Sequence, residues 1–205
     1  QRLGVDVVFA PSPEAMYPRK QLTWVETEDL TERLCGASRP GHFRGVTTVC
    51  AKLFNLVQPD AAYFGQKDAQ QAVVIQRMVQ DLNMPLAIRV CPIVREPDGL
   101  AMSSRNKYLS ADERQRALCL QEALRHCQSL AAAGERNAAR MIEAMGAIVD
   151  RQEGRVDYIQ ITDPNTLEPL DKIDQTALVL LAVYIGHTRL IDNLLIDLKE
   201  PQKAI

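Results

Sequence analysis

Between Pro59 and Val94 the apolar pattern changes period twice, and the change narrows the class of fold. Asp60-Ala61-Ala62-Tyr63-Phe64 is a short strand-like run. Val74, Ile75, Met78, Val79 and Leu82 then recur at helical spacing. Asn83-Met84-Pro85 breaks that helix, and residues 87–94 are β-rich again. Strand, helix and strand at this separation predict a parallel sheet covered by helices, because the crossover returns the second strand in the same direction. An earlier helix is expected over Val46, Val49, Cys50, Leu53 and Val57, ended by Pro59. Residues 5–10 read as a buried strand stopped by Pro11 and Pro13, and residues 22–25 as a short second one.

After Pro97-Asp98-Gly99 the texture changes. Ser110 followed by Glu113 is a capping box, and it opens a long helix toward Ala133. Gly134 ends it, and a second amphipathic helix is expected over residues 137–152. Three strand-like runs follow, at 156–162, 177–185 and 189–196. Two helices and then a small sheet predict an α+β unit, with its boundary near residues 96–103.

Composition removes several classes of function. Of the 205 residues 46% are hydrophobic and 24% are charged, which suits a globular protein with its own core. The net charge is −2 and the lysines and arginines form no block, so no footprint for nucleic acid is present. No run of about 18 apolar residues occurs, so no membrane span is expected. The five cysteines are odd in number and lack a CxxC pair, so free buried thiols in a reducing, cytoplasmic setting are expected. The sequence opens at Gln1 without an initiator Met or a secretory pattern, and reads as part of something longer.

Three segments carry polar chemistry. Phe64-Gly65-Gln66-Lys67-Asp68-Ala69-Gln70-Gln71 lies where a strand ends and a helix begins. Open α/β sheets bind ligands there, and the helix N-terminus with the Lys67 charge suits phosphate. The same residues also fit a plain βα turn with a solvated lysine. Gly99 to Asn106, which includes Met102-Ser103-Ser104-Arg105, sets two hydroxyls beside a guanidinium able to grip phosphate oxygens. It reads equally as a polar loop between two units. Ser38 to Gly45 places His42 between Arg39 and Arg44 in a Gly/Pro-bounded loop, where a histidine is more often structural than catalytic. No Cys/His spacing forms a metal site, and nothing resembles a nucleophile elbow.

Taken together, PGHFRGVTTV, KLFNLVQPDAAYFGQKDAQQ and VREPDGLAMSSRNKYLS resemble the pantothenate synthetases in residue type, order and spacing. VDVVFAPSPEAMYP and TRLIDN resemble them too, so the likeness spans the chain. The resemblance implies a partial Rossmann-like sheet of the nucleotidyltransferase superfold over residues 1–97, and a smaller α+β lid domain over residues 98–205. It implies a cytoplasmic homodimer with no membrane or nucleic-acid partner. The implied activity joins pantoate to β-alanine using ATP, through a pantoyl adenylate, with release of pyrophosphate and AMP and with Mg2+ assisting. Carried over by position, Gly65, Gln66, Lys67, Asp68, Val94, Met102, Ser103, Ser104 and Arg105 would contact ATP, with Lys67 and Arg105 catalytic. Gln71 would bind pantoate, and His42 would lie on the substrate side. The family usually has Glu where this chain has Gln66. Its Met-Gly-x-Leu-His-x-Gly-His segment, which carries the proton-donor histidine, does not occur within these 205 residues. Two other readings stand beside this one: another adenylyl-forming enzyme of the same superfold, and a non-catalytic remnant keeping nucleotide-binding and dimer surfaces.

Overall fold

The computed structural model of the chain describes residues 3–199. Its first half is built around the expected crossover. Strand β1 (Ala61–Gly65) leads through a 3-10 turn, Gln66–Asp68, into helix α3 (Ala69–Asp81), which returns to strand β2 (Ala87–Cys91). The strands pair in parallel, with Ala61 opposite Ala87 and Gly65 opposite Cys91. Strand β2 therefore stops short of the expected Val94, because β1 ends at Gly65 and offers no further partner. Ahead of this unit lie the short helix α1 (Pro13–Met16) and the longer α2 (His42–Val57). Ala51 of α2 packs with Ile75, Met78 and Val79 of α3, and Phe64 and Ile88 close on that cluster from the sheet.

The two earliest expected strands do not form. Residues 5–10 are exposed, with Val7 80% and Val8 79% accessible, and among the described residues no strand pairs with them. An apolar run becomes a strand only when another strand takes its N–H and C=O groups. Residues 22–25 form no ladder either, and the backbone groups of Val25 go to side chains instead. Thr48 Oγ accepts from Val25 N–H at 3.0 Å, and the Thr47 hydroxyl donates to Val25 O at 2.6 Å. Two threonines, both buried, thus dock this segment on α2 without a ladder.

The second half follows the sequence pattern more closely. The capping box at Ser110 and Glu113 is formed in both directions and starts α4 (Ala111–Ala117). The single long helix expected there is interrupted at Leu118, whose N–H bonds Gln115 O, three residues back. Helix α5 (Cys119–Ala132) continues beyond it. Asn137 caps α6 (Ala138–Arg151) through a bond from Arg140 N–H at 2.9 Å. Strands β3 (Arg155–Thr162), β4 (Thr176–Ile185) and β5 (Thr188–Asp197) form one antiparallel sheet in the order β3-β4-β5. Strand β4 is central and covered on both faces, which explains its unbroken apolar run.

The largest core lies between this sheet and α5 and α6, around Leu124, Met141, Met145, Leu181 and Ile185. A separate cluster crosses the chain: Leu30, Leu34, Phe43 and Val74 pack against Leu167, Leu178 and Leu180. It holds the β1–α3 junction against the antiparallel sheet. All five cysteines are free; Cys119 and Cys127 are buried, and burial pushes both thiols up to about 12. Cys91 departs from the expectation of buried thiols and is exposed at the end of β2. No helix among the described residues is long and apolar enough to cross a membrane.

Candidate active site

A cleft of about 400 Å³ opens where the β1–α3 junction meets the antiparallel sheet. It gathers side chains from three distant segments. From the junction come Lys67, Asp68 and Gln71; from the loop after β2 come Met102, Ser103, Ser104 and Arg105; from the start of α2 comes His42. The remaining three expected contacts stand differently. Gly65, Gln66 and Val94 do not line the cleft.

The junction explains part of this. Gly65 has extended backbone, φ −79° and ψ 133°, a conformation open to any residue. A Cβ built there would meet no atom within 4 Å, so the glycine leaves clear space rather than relieving strain. The Gln66 amide turns away and donates to Asn193 Oδ1 at 3.3 Å. Lys67 is half-buried, and among the described residues no carboxylate lies within ion-pair distance of it. Asp68 stands at the N-terminus of α3 without capping it, so its carboxylate is left to the cleft.

The second loop is braced before it reaches the cleft. Arg95 and Ala101 face each other in a bridge, and Met102 N–H donates to Val94 O at 2.9 Å. The turn between them needs Gly99. Its φ is +97°, and a Cβ there would sit 2.0 Å from Gln121 Oε1. Ser103 then caps the 3-10 turn Ser104–Tyr108 by accepting from Arg105 N–H at 3.2 Å. Arg105 extends across the cleft and donates to Arg189 O at 3.1 Å. Beneath it, buried Asn106 donates to Ala101 O at 3.1 Å and to Glu96, while Arg114 bridges Glu96 and Asp98.

His42 begins α2, with its Nε2 3.0 Å from Arg39 Nη1. A guanidinium can only donate, so Nε2 accepts and the ring proton sits on Nδ1. Burial of the ring, then the Arg39 charge, lower the His42 pKa, with Asp68 pulling the other way. We expect His42 to titrate below 6.5, its ordinary value, and Arg39→Ala to move the midpoint up by removing both the charge and the donor. Ring-proton NMR shifts against pH decide this; a midpoint that stays or falls in the variant contradicts it.

Sequence reasoning did not assign the far wall, which is strand β5. Asp192 and Asn193 are 3% and 2% exposed. Asp192 holds Arg95 through two bonds, 2.7 and 3.1 Å, and Arg189 pairs with Asp157 at 2.8 Å. Cys35 and Tyr158 meet beside Arg189, thiol to hydroxyl at 3.3 Å. Burial, then the Cys35 thiol, push the Tyr158 hydroxyl above its ordinary range, so it stays neutral. With Arg95 and Arg189 neutralised by partners, Lys67, Arg39 and Arg105 supply the cleft's free positive charge among the described residues, against Asp68. That balance suits an anionic ligand. Among the described residues no group of three His, Cys, Asp or Glu could hold a metal ion.

The family model described as pantoate-beta-alanine ligase matches residues 1–195. The chain belongs to the pantoate–β-alanine ligase family. It is 58% identical over 198 residues to the pantothenate synthetase of Moorella thermoacetica, covering 96% of this chain and 70% of the relative. The structure of the Thermus thermophilus pantothenate synthetase superimposes with a TM-score of 0.90 at 46% identity, over 94% of this chain and 70% of that one. A Francisella tularensis pantoate-beta-alanine ligase, described as complexed with β-γ ATP and β-alanine, matches at a TM-score of 0.72 and 35% identity, over 95% and 66%. Among the residues of this far wall, only the run TRLIDN had a signal in the sequence, and that signal was the family likeness. Cys35, Asp157 and Tyr158 had none, because nothing local marks side chains whose partners lie 32 to 123 positions away.

Proposed function

We propose that this chain carries the ATP-dependent ligation of pantoate to β-alanine. The observation that supports it is the meeting of the Lys67-Asp68 junction, the Met102–Arg105 loop and His42 in one cleft. A carboxylate is a poor electrophile until its oxygen belongs to a good leaving group. In this reading the pantoate carboxylate attacks the α-phosphorus of ATP and pyrophosphate leaves. The β-alanine amine then attacks the acyl carbon, and AMP leaves. Lys67 and Arg105 stabilise the charge that builds on the phosphates, and Ser103 and Ser104 donate to phosphate oxygens. Gly65 and Val94 would offer backbone contacts to the nucleotide, and Gln71 would hydrogen-bond pantoate. Gln66 would act through its backbone, since its amide is engaged by Asn193. His42, neutral beside Arg39, would serve the substrate side.

Mg2+ is read as arriving on ATP. It is ordinarily held through phosphate oxygens and one or two carboxylates, and Asp68 fits that part. Bound there, it would neutralise phosphate charge. The division into residues 1–97 and 98–205, the homodimer and the cytoplasmic setting rest on the family likeness.

The 205 residues contain no Met-Gly-x-Leu-His-x-Gly-His segment. We therefore expect residues 1–205 by themselves to form no detectable pantothenate, because Lys67 and Arg105 would face water and each charge contact would weaken. Joined to an N-terminal segment of that type, the same residues are expected to turn over. Assays of AMP and pantothenate with ATP, Mg2+, pantoate and β-alanine compare the two. Full turnover by residues 1–205 would show that the proton-donor role assigned to that segment is wrong, or that His42 fills it.

A further inference from the structure

The two segments that bring Lys67 and Arg105 to the cleft are both tied to β5. Arg105 bonds Arg189 O, Arg95 bonds Asp192, and the Asn193 amide takes the junction. Asn193 Nδ2 donates to Gln66 O at 2.8 Å and to Lys67 O at 3.1 Å, and its Oδ1 accepts from the Gln66 amide at 3.3 Å. Alternation along a strand sends Asp192 and Asn193 to opposite faces, so one strand can hold two loops. An amide buried at 2% exposure costs free energy unless its bonds are made, and here both its donor nitrogen and its acceptor are used on one short turn.

Lys67 itself has no ion-pair partner among the described residues, and its four-carbon stem is flexible. The position of its ammonium therefore depends on how firmly its backbone is held. Among the described residues β1 pairs with β2 alone, and both strands end before the turn that carries Lys67. The clasp comes from the other sheet. We propose that Asn193 is a positioning residue: it clamps the Gln66-Lys67 backbone to β5 and so aims the Lys67 charge at the ligand. This rests on the reading of Lys67 as a phosphate ligand. It extends that reading to a residue 126 positions away that lies behind Lys67 in the cleft wall.

The test uses Asn193→Leu, which keeps most of the volume and makes none of the three bonds. Asn193→Ala, which admits water to the two carbonyls, is run beside it in case Leu does not fold. Hydrogen exchange is followed by mass spectrometry in the 205-residue chain, and ATP affinity by calorimetry in the chain joined to a His-x-Gly-His segment. We expect amides 66–70 to exchange about tenfold faster or more, with β4 amides unchanged. ATP affinity should fall about fivefold or more, and the double variant with Lys67→Ala should bind no more weakly than Lys67→Ala alone, since coupled residues are non-additive. Unchanged exchange at 66–70, or losses that simply add, would overturn the clasp. A parent chain that binds no ATP would overturn the nucleotide reading itself, which the exchange result does not depend on.

Discussion

Lys67→Ala is expected to slow pantoyl adenylate formation by about 10²–10³-fold while the protein stays folded. The size follows from where the charge sits. Lys67 is half-buried at the end of β1, on the first turn toward α3, and no protein carboxylate among the described residues neutralises it. Its charge is thus available to the ligand, and it matters most as negative charge moves onto departing pyrophosphate. The fold should tolerate the change, because the core of this half is made by Ala51, Ile75, Met78 and Val79, none of which Lys67 supports. Single-turnover formation of the adenylate, in the chain joined to a His-x-Gly-His segment, gives the rate. Circular dichroism checks the fold. A rate within about threefold of the parent would remove Lys67 from the mechanism, since the smallest loss expected for such a group is far larger.

Arg105→Ala is expected to raise the KM for ATP by about tenfold or more, and Ser104→Ala by less, with the KM for β-alanine unmoved by either. Arg105 is exposed at the cleft wall and uses one Nη1 proton on Arg189 O, so the rest of its planar fork is left for phosphate oxygens. A serine hydroxyl supplies one neutral bond that water can replace. The loop keeps its shape in both variants, since Gly99 and the Arg95–Asp192 pair brace it from behind. Steady-state kinetics with each substrate varied in turn separate the effects. A raised KM for β-alanine beside an unchanged KM for ATP would put the loop on the wrong substrate.

Much of the architecture was legible in the sequence because strong local punctuation marked it. Pro59 and Asn83-Met84-Pro85 bracket the crossover, Ser110 with Glu113 starts α4, and β3, β4 and β5 lie within a residue or two of their apolar runs. The failures came where pattern and pairing part company. Residues 5–10 have strand composition but no strand partner among the described residues, and in residues 22–25 the backbone of Val25 bonds Thr47 and Thr48. For the site, the segments contributing Lys67, Met102–Arg105 and His42 could be named, and they do meet. Their supports could not. Asn193 joins Gln66 across 127 positions and Asp192 joins Arg95 across 97, and contacts of that range leave no periodicity to read. Gln66 shows the cost of reading a motif alone: it belongs to the junction, yet its side chain turns toward β5 rather than the cleft.

This cleft is expected to activate the pantoate carboxylate with ATP. Exchange of labelled pyrophosphate into ATP measures that half-reaction without β-alanine. In the chain joined to a His-x-Gly-His segment, exchange is expected to require pantoate and Mg2+ and to be lost in Lys67→Ala. Exchange that proceeds equally without pantoate, or none with every component present, would contradict it.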